Sequence, residues 1–522
     1  MYARINPVPA NLLSFDIGAT NDYTMLIKKD PDLISSFLED YSNLKGGSCD
    51  LVAFPDTEKD VSDFLKECVS LKIPVTISGA GTGVAAGRIP FGGRVLSLSK
   101  FNNISPIEKV SSNLTEVTVG AGVVLADFLE YVKSKGFFYP PDPTEKTSFL
   151  GGNIATGASG ARSFKYGTTR DFVLGIKVVL SSGEVLDLNR GKFLADKKGK
   201  FQLITESNKE IVFSIPKYLM PNIKNATGYY AEEGMDVVDL FIGSEGTLGV
   251  ITEAKLKLIK ALEGLLDCYA FFNKKESAFK FVVEAYNSSK DNNQSQSILR
   301  PISIEYFDKG ALSLLRERHS NIPKDAEAAI YFEQEVTKKN EDDVISEWAK
   351  LITKSGGSLD DTWFAHTEKD RKRLQDVRHD LPDLVNERVK RSGFKKIGTD
   401  IAVPFSCLPD MLTFYQKLLF TEGLEFVIFG HIGDAHLHVN ILPKNNYDIE
   451  KGLSVYKNLV KKAIFLGGTP SAEHGIGKIK HEYLKMLYPD EAVNEMIKLK
   501  KALDPACILG LDNIFSKEDL AV

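Results

Sequence analysis

Residues 142–167 read Asp-Pro-Thr-Glu-Lys-Thr-Ser-Phe-Leu-Gly-Gly-Asn-Ile-Ala-Thr-Gly-Ala-Ser-Gly-Ala-Arg-Ser-Phe-Lys-Tyr-Gly. Loops this long are uncommon in compact domains unless they have a function. Residues this small let a backbone approach a flat ligand closely. Upstream lies a second glycine-rich stretch, Ile77-Ser78-Gly79-Ala80-Gly81-Thr82-Gly83, with N–H groups able to close around an anion. Taken alone it reads as a tight strand-to-loop turn. It is not a Rossmann fingerprint, because no convincing helix follows Gly83, and it lacks the Gly-Lys-Ser/Thr of a Walker loop. A third stretch, Phe241-Ile242-Gly243-Ser244-Glu245-Gly246-Thr247-Leu248-Gly249-Val250-Ile251, is a glycine-punctuated turn between apolar strands. Together the three stretches favour a bound ligand over ordinary turns.

Working outward, Leu51–Phe54 reads as a buried strand ended by Pro55. Thr57 with Asp60 resembles a capping box. Val61, Phe64, Leu65, Cys68 and Leu71 then recur at helical spacing, and 74–78 is a second strand, so 51–78 is a β–α–β unit. Ile176–Leu180, the turn Ser182-Gly183 and Val185-Leu186 read as a hairpin. Residues 1–45 read as a mostly helical lead-in, with Leu33, Ile34, Phe37 and Leu38 at helical spacing, and the lysine-rich 190–225 as an exposed insertion. Near 260 the texture shifts to longer, more charged segments: helices over 276–286 and 368–391, strands over 303–307 and 329–333. The expected organisation is an α+β chain with a lead-in over 1–45, a glycine-rich domain over 46–260, a second domain over 261–470 and a C-terminal segment, 471–522, returning to the first.

The 522-residue chain is too long for one core. A net charge of −5 gives no electrostatic reason to expect nucleic acid. The five cysteines are scattered with no CxxC pair, which argues against a disulfide framework or a cysteine-built metal site and fits a reducing, cytoplasmic compartment. The N-terminus lacks a signal-peptide pattern, and no apolar run approaches the ~20 residues a bilayer span needs. Peripheral membrane contact and a homodimer are left open.

All eight histidines lie beyond residue 318. They gather around His431-Ile432-Gly433-Asp434-Ala435-His436-Leu437-His438, followed by Asn440, and around Glu473-His474-Gly475. Residues 427–441 read as a β-hairpin turning at Gly433-Asp434, with His436 and His438 on one strand face and His431 able to fold back beside His438. Alone, that run is a polar strand end; with Glu473 and His474 it becomes a full set of divalent-metal donors.

The three glycine-rich stretches, in this order, resemble the FAD-binding domain of the vanillyl-alcohol oxidase superfamily. The second half, with His-Ile-Gly-Asp-Ala-His-Leu-His and Ala-Glu-His-Gly-Ile-Gly-Lys, is similar to the C-terminal domain of its D-2-hydroxy-acid dehydrogenase branch, which holds D-lactate dehydrogenases, D-2-hydroxyglutarate dehydrogenase and the glycolate oxidase flavoprotein subunit. The resemblance implies a two-lobed FAD-binding domain and a cap domain built on an antiparallel sheet with helices. By motif, Ile77, Ser78, Gly79, Ala80, Gly81, Thr82 and Gly83 would wrap the FAD diphosphate. Asp142, Thr147, Ser148, Gly151, Gly152, Thr156, Ala158 and Ser159 would line the ribityl chain and ring, and Glu245, Gly249, Val250 and Ile251 the adenine side. With no histidine before His319, a histidyl link to flavin in the first half is chemically impossible, so non-covalent FAD is expected.

The same resemblance makes His431, His438 and Glu473 the ligands of a divalent metal (zinc, manganese or iron) and leaves His474 as general base. His436 then reads as a packed or solvated histidine. Arg378 matches the position of a carboxylate-clamping arginine, Asn440 would hydrogen-bond substrate, and Arg162 and Lys478 are further candidates. The expected reaction is oxidation of a short D-2-hydroxy acid such as D-lactate to the 2-oxo acid. Electrons would pass to a quinone, a cytochrome or an electron-transfer flavoprotein. Gly398 stands where hydroxyglutarate-oxidising relatives have lysine, which favours a short monocarboxylate. Two other departures are Gly510-Leu511-Asp512 in place of an Asn-Pro after the Ala502–Pro505 pattern, which puts a flavin-edge contact there in doubt, and Gly157 in place of Asn, which partly resembles alkyl-transfer relatives. The competing readings are an ether-lipid synthase-like alkyl transferase and a flavoprotein subunit of a larger redox complex.

Overall fold

The computed structural model describes residues 25–290, 297–365 and 367–521. Thr57 opens the helix Glu58–Leu71 with a capping box: its hydroxyl accepts from the Asp60 N–H, and the Asp60 carboxylate accepts from the Thr57 N–H. Loss of such a cap costs about 1 kcal/mol. Val61, Phe64, Leu65 and Cys68 are fully buried, whereas Leu71, expected on the same face, is 55% exposed, because Lys72 takes a left-handed conformation and ends the helix there. The helix joins Leu51–Phe54 to Val75–Ser78, and Arg94–Ser97 lies between these two strands, parallel to both. The helical lead-in is corrected in part. Residues 1–24 lie outside the described residues, and Leu26–Lys28 is an edge strand, antiparallel to 52–54. A helix begins only at Pro31, whose ring disfavours helical geometry in the residue before it.

A second sheet runs in the order 108–109, 115–120, 250–260, 173–179, 185–189. The hairpin 173–189 turns at Gly183, with φ of +78°. The expected exposed insertion at 190–225 is also corrected. Lys200–Ile204 and Glu210–Ser214 form a two-stranded ribbon. Its lysines and glutamate face out, while Phe201, Leu203, Phe213 and Ile215 join the main core of this lobe. The alternation outweighs the lysine-rich composition.

The cap is an eight-stranded antiparallel sheet, with 363–364, 264–272, 328–336, 301–308, 426–430, 436–441 and 397–398 in order and 401–402 pairing with the end of 436–441. Cys268, Ala270, Phe272, Ile330 and Phe332 pack on the helices Lys275–Lys290 and Glu341–Lys354. The alternate residues Tyr269, Phe271, Ala329 and Tyr331 pack under Lys309–Leu315 and Glu368–Ser392. Toward the other end that second face becomes acidic, carrying Asp267, Glu305, Glu333 and Glu335, and it meets the glycine-rich lobe. The chain end returns to that lobe: Val75 donates to Ile508 O at 2.7 Å and Gly510 to Val75 O at 2.9 Å. No helix among the described residues is long and apolar enough to cross a membrane.

Candidate active site between the lobes

The three glycine-rich stretches converge. A Cβ on Gly79 would lie 3.9 Å from Gly152 Cα, and one on Gly157 3.8 Å from Gly243 Cα. Helix Leu150–Thr156 ends at Gly157 in the left-handed conformation, and its carbonyls Ile154 O and Ala155 O accept from Gly243 and Glu245 at 3.0 and 2.7 Å. Asp142 accepts from Lys146 and lies 3.6 Å from Arg162, and its backbone N–H donates to Ser159 O at 2.9 Å. Thr156 donates to Gly152 O, Thr169 donates to Ala158 O, and Ser148 is buried against Glu145 O. Gly151 packs so closely on Ala121 that no side chain fits. Backbone with few side chains lines this cleft, which suits a flat cofactor.

Some candidates serve the scaffold directly. Gly249 precedes a core strand that Val250 and Ile251 start, paired to Val179 and Val178. Glu245 places its two oxygens on Ile476 N–H (2.7 Å) and Gly477 N–H (2.6 Å), so it clasps the loop that carries Glu473 and His474. Burial pushes its carboxyl up to about 7 against those two donors.

The histidine hairpin forms between 426–430 and 436–441, with a 3-10 turn at Ile432–Asp434 and Ala435 at φ +50°. His431 Nε2 lies 3.2 Å from Glu473 Oε1, His438 Nε2 3.6 Å and His474 Nε2 3.9 Å from the same oxygen. The other nitrogens are committed. His431 Nδ1 is 2.6 Å from Glu305 Oε1, and His438 Nδ1 donates to Thr399 O at 3.1 Å. Such contacts fix the tautomer that presents a bare Nε2 to a metal. The Oε2 of Glu473 is taken up by Lys224 Nζ at 2.7 Å and the Gly160 N–H at 3.2 Å. With bonds of about 2.1 Å, the edge of a tetrahedral site is about 3.4 Å, so the separations of 3.2 and 3.6 Å fit one divalent ion held by His431, His438 and Glu473.

Burial alone would lower His431, but the Glu305 and Glu473 carboxylates outweigh it and raise it to about 9. Burial would likewise raise Glu473, yet Lys224 and His431 hold it well below the usual carboxylate range. His436 is fully buried, with Nε2 3.0 Å from Asp400 Oδ1 and Nδ1 without a partner among the described residues. Its ring is close enough to count among the donors around Glu473.

His474 is the most exposed member, with 32% of its side chain accessible. Its Nδ1 lies 3.5 Å from Asp400 Oδ1, and its backbone N–H donates to Asp400 Oδ2 at 2.9 Å. Burial lowers it to about 4 although Asp400 pulls the other way, so it is neutral at pH 7. Asp400, fully buried, also accepts from Ser471 and Lys480. Arg378 does not stand free as a clamp. Its Nε donates to Glu305 Oε2 at 3.1 Å and its Nη2 lies 3.0 Å from the same oxygen, completing a chain Arg378–Glu305–His431. Arg162 makes two 3.0 Å bonds to Glu333. Asn440 is buried, with Nδ2 unpartnered among the described residues. Glu305, Lys224 and Asp400 were not among the sequence candidates. A lone glutamate in the apolar strand Pro301–Asp308, and an invitation to pair in the Thr399-Asp400 step, were the available signals.

Residues 49–189 match the FAD binding domain, and residues 269–511 the FAD linked oxidases, C-terminal domain. The chain is 29% identical over 480 residues to glycolate oxidase subunit GlcD of Bacillus subtilis (strain 168), covering 90% of this chain and 89% of that one. It is 29% identical to the probable mitochondrial D-lactate dehydrogenase of Danio rerio, covering 88% and 83%. A D-2-hydroxyglutarate dehydrogenase of the same organism matches at 29%, covering 92% and 81%. Among solved structures, 4-ethylphenol oxidase from Gulosibacter chungangensis superposes with a TM-score of 0.66 at 14% identity, covering 94% and 95%, a likeness of fold. The chain belongs to the FAD-linked oxidases of the vanillyl-alcohol oxidase superfamily, in the branch of glycolate oxidase GlcD and the D-lactate and D-2-hydroxyglutarate dehydrogenases.

Proposed function

We propose that this FAD-linked oxidoreductase is a dehydrogenase of a short D-2-hydroxy acid, D-lactate or a close analogue, with a divalent metal (zinc, manganese or iron) at His431, His438 and Glu473. The observation that carries this reading is the convergence of three imidazole Nε2 atoms on one oxygen of Glu473. When bound, FAD accepts a hydride from C2 and the metal draws electron density from the substrate oxygens.

His474, neutral at pH 7, takes the hydroxyl proton at Nε2. Asp400, close to Nδ1, stabilises the imidazolium that results. The Arg378–Glu305 pair fixes His431 in its ligating tautomer. Asn440 Nδ2, buried and unpartnered, donates to the substrate. Gly398, beside Asn440 in the sheet, offers no side chain to a second carboxylate, which supports a monocarboxylic substrate. FAD is held without a covalent bond, and electrons leave to a quinone, a cytochrome or an electron-transfer flavoprotein in the cytoplasm.

The test is anaerobic bleaching of the bound flavin by D-lactate, L-lactate, glycolate and D-2-hydroxyglutarate. D-lactate should bleach fastest and L-lactate not at all. Bleaching led by hydroxyglutarate overturns the short-acid assignment, and no bleaching by any acid overturns the dehydrogenase.

A further inference from the structure

The loop Ser78–Gly83 meets charged side chains that the reaction above does not use. Gly81 has φ of +83°, and a Cβ on it would fall on the guanidinium of Arg88. Only a glycine there lets Arg88 lie across the loop backbone. The guanidinium donates once, from Nη2 to Ser36 O at 2.9 Å, and sits 5.0 Å from the Phe37 ring centroid. Among the described residues its Nε is buried without a partner, and no carboxylate oxygen lies within 4.0 Å of its nitrogens.

Two further charged groups border the loop. Asp40 Oδ2, also buried without a partner among the described residues, lies 3.9 Å from where a Gly83 Cβ would be. Lys478 Nζ donates to Asn513 Oδ1 and, at 3.3 Å, to Gly87 O. The backbone amides from Gly79 to Gly83 have no backbone acceptor among the described residues. Unspent N–H groups, a half-used guanidinium and a nearby ammonium together describe an anion site. The planar fork of arginine suits phosphate oxygens in particular.

We propose that Arg88 binds the diphosphate of FAD, sharing it with the Gly79–Gly83 amides, so that the chain recognises the dinucleotide through this side chain as well as through backbone. The proposal rests on the reading that the glycine-rich cleft holds FAD. Asp40 moderates the site by setting a carboxylate near the two cations.

The experiment uses the full chain after release of its flavin, titrated with FAD and with riboflavin, which lacks the diphosphate, by flavin fluorescence. Arg88→Gln should weaken FAD about 10- to 100-fold, leave riboflavin within about twofold, and flatten the salt dependence of FAD binding. Arg88→Lys should fall between the parent and Arg88→Gln. Equal weakening of both flavins, as expected if Arg88 only props the loop on Ser36 and Phe37, overturns the proposal, as does unchanged FAD affinity. Should Arg88→Gln not fold, Arg88→Lys decides: an FAD-to-riboflavin affinity ratio equal to the parent's overturns it. A parent chain that binds neither flavin removes the cofactor reading itself, a different result from either.

Discussion

Lys224 Nζ lies 2.7 Å from Oε2 of Glu473, on the side of the carboxylate away from the three imidazoles. One oxygen is thereby neutralised and the other left to the histidine cluster, so Glu473 can serve a metal through Oε1 alone. Lys224 is itself held protonated, burial notwithstanding, by Glu473 and Asp434.

Replacing Lys224 by methionine therefore leaves a buried carboxylate without its cation. Breaking a buried pair from one side costs about 3–5 kcal/mol. Chelated Lys224→Met protein should melt well below the chelated parent. A divalent cation supplies the missing charge, so zinc or manganese should raise the melting temperature of the variant more than that of the parent. Equal shifts in the two proteins would count against Lys224 and the metal sharing Glu473.

Glu305 links Arg378 to His431. Glu305→Gln keeps the shape but weakens the bond that orients the imidazole. Loss of a partner of this kind typically lowers metal affinity or activity about 10- to 100-fold. The variant should lose metal at lower chelator concentration than the parent and recover turnover in excess metal. A variant with parental chelator sensitivity would show that Glu305 is only a strand residue.

Where the signals are local, the sequence was readable. The capping box at Thr57, the hairpin turning at Gly183 and the histidine hairpin around Gly433 each depend on residues a few positions apart. So do the glycine-rich stretches, whose small side chains signal close approach whatever surrounds them. Glu305 and Lys224 reach the site from strands and loops more than a hundred residues away from it in sequence, and no periodicity announces which strand will lie beside His431. The resemblance marks Arg378 as a carboxylate clamp, but its engagement by Glu305 depends on sheet register and was not legible. The ribbon at 200–214 was missed because it lies inside the lysine-rich stretch 190–225 and the alternation that buries Phe201 and Phe213 is short.

His474 differs from the other histidines of the cluster in being the most exposed and, among the described residues, in having no carboxylate or carbonyl within normal hydrogen-bond distance of its ring. His474→Ala should leave FAD absorbance and metal content unchanged, yet slow flavin reduction by substrate about 10²- to 10⁴-fold. Rapid mixing under anaerobic conditions reads that step directly. Bleaching at more than a tenth of the parent's rate would remove His474 as the base.

Asp267 lies on the acidic face of the cap sheet, where Tyr331 OH donates to its Oδ2 at 2.7 Å and Gln375 at 3.1 Å. Burial, then the neighbouring Glu333 carboxylate, pushes it up to about 7. In an unfolded chain it would titrate near 3.9. Between those values the folded protein binds the extra proton, so the contribution of this group to stability is full below about pH 4 and is lost as the pH rises toward 7. The slope reaches at most about 1.4 kcal/mol per pH unit. Asp267→Asn mimics the protonated form and should remove that slope, making the variant more stable than the parent at pH 8 and by a smaller margin at pH 5. Urea unfolding at the two pH values tests this: a variant whose stability changes with pH as steeply as the parent's would mean that Asp267 is already ionised in the folded protein at pH 5.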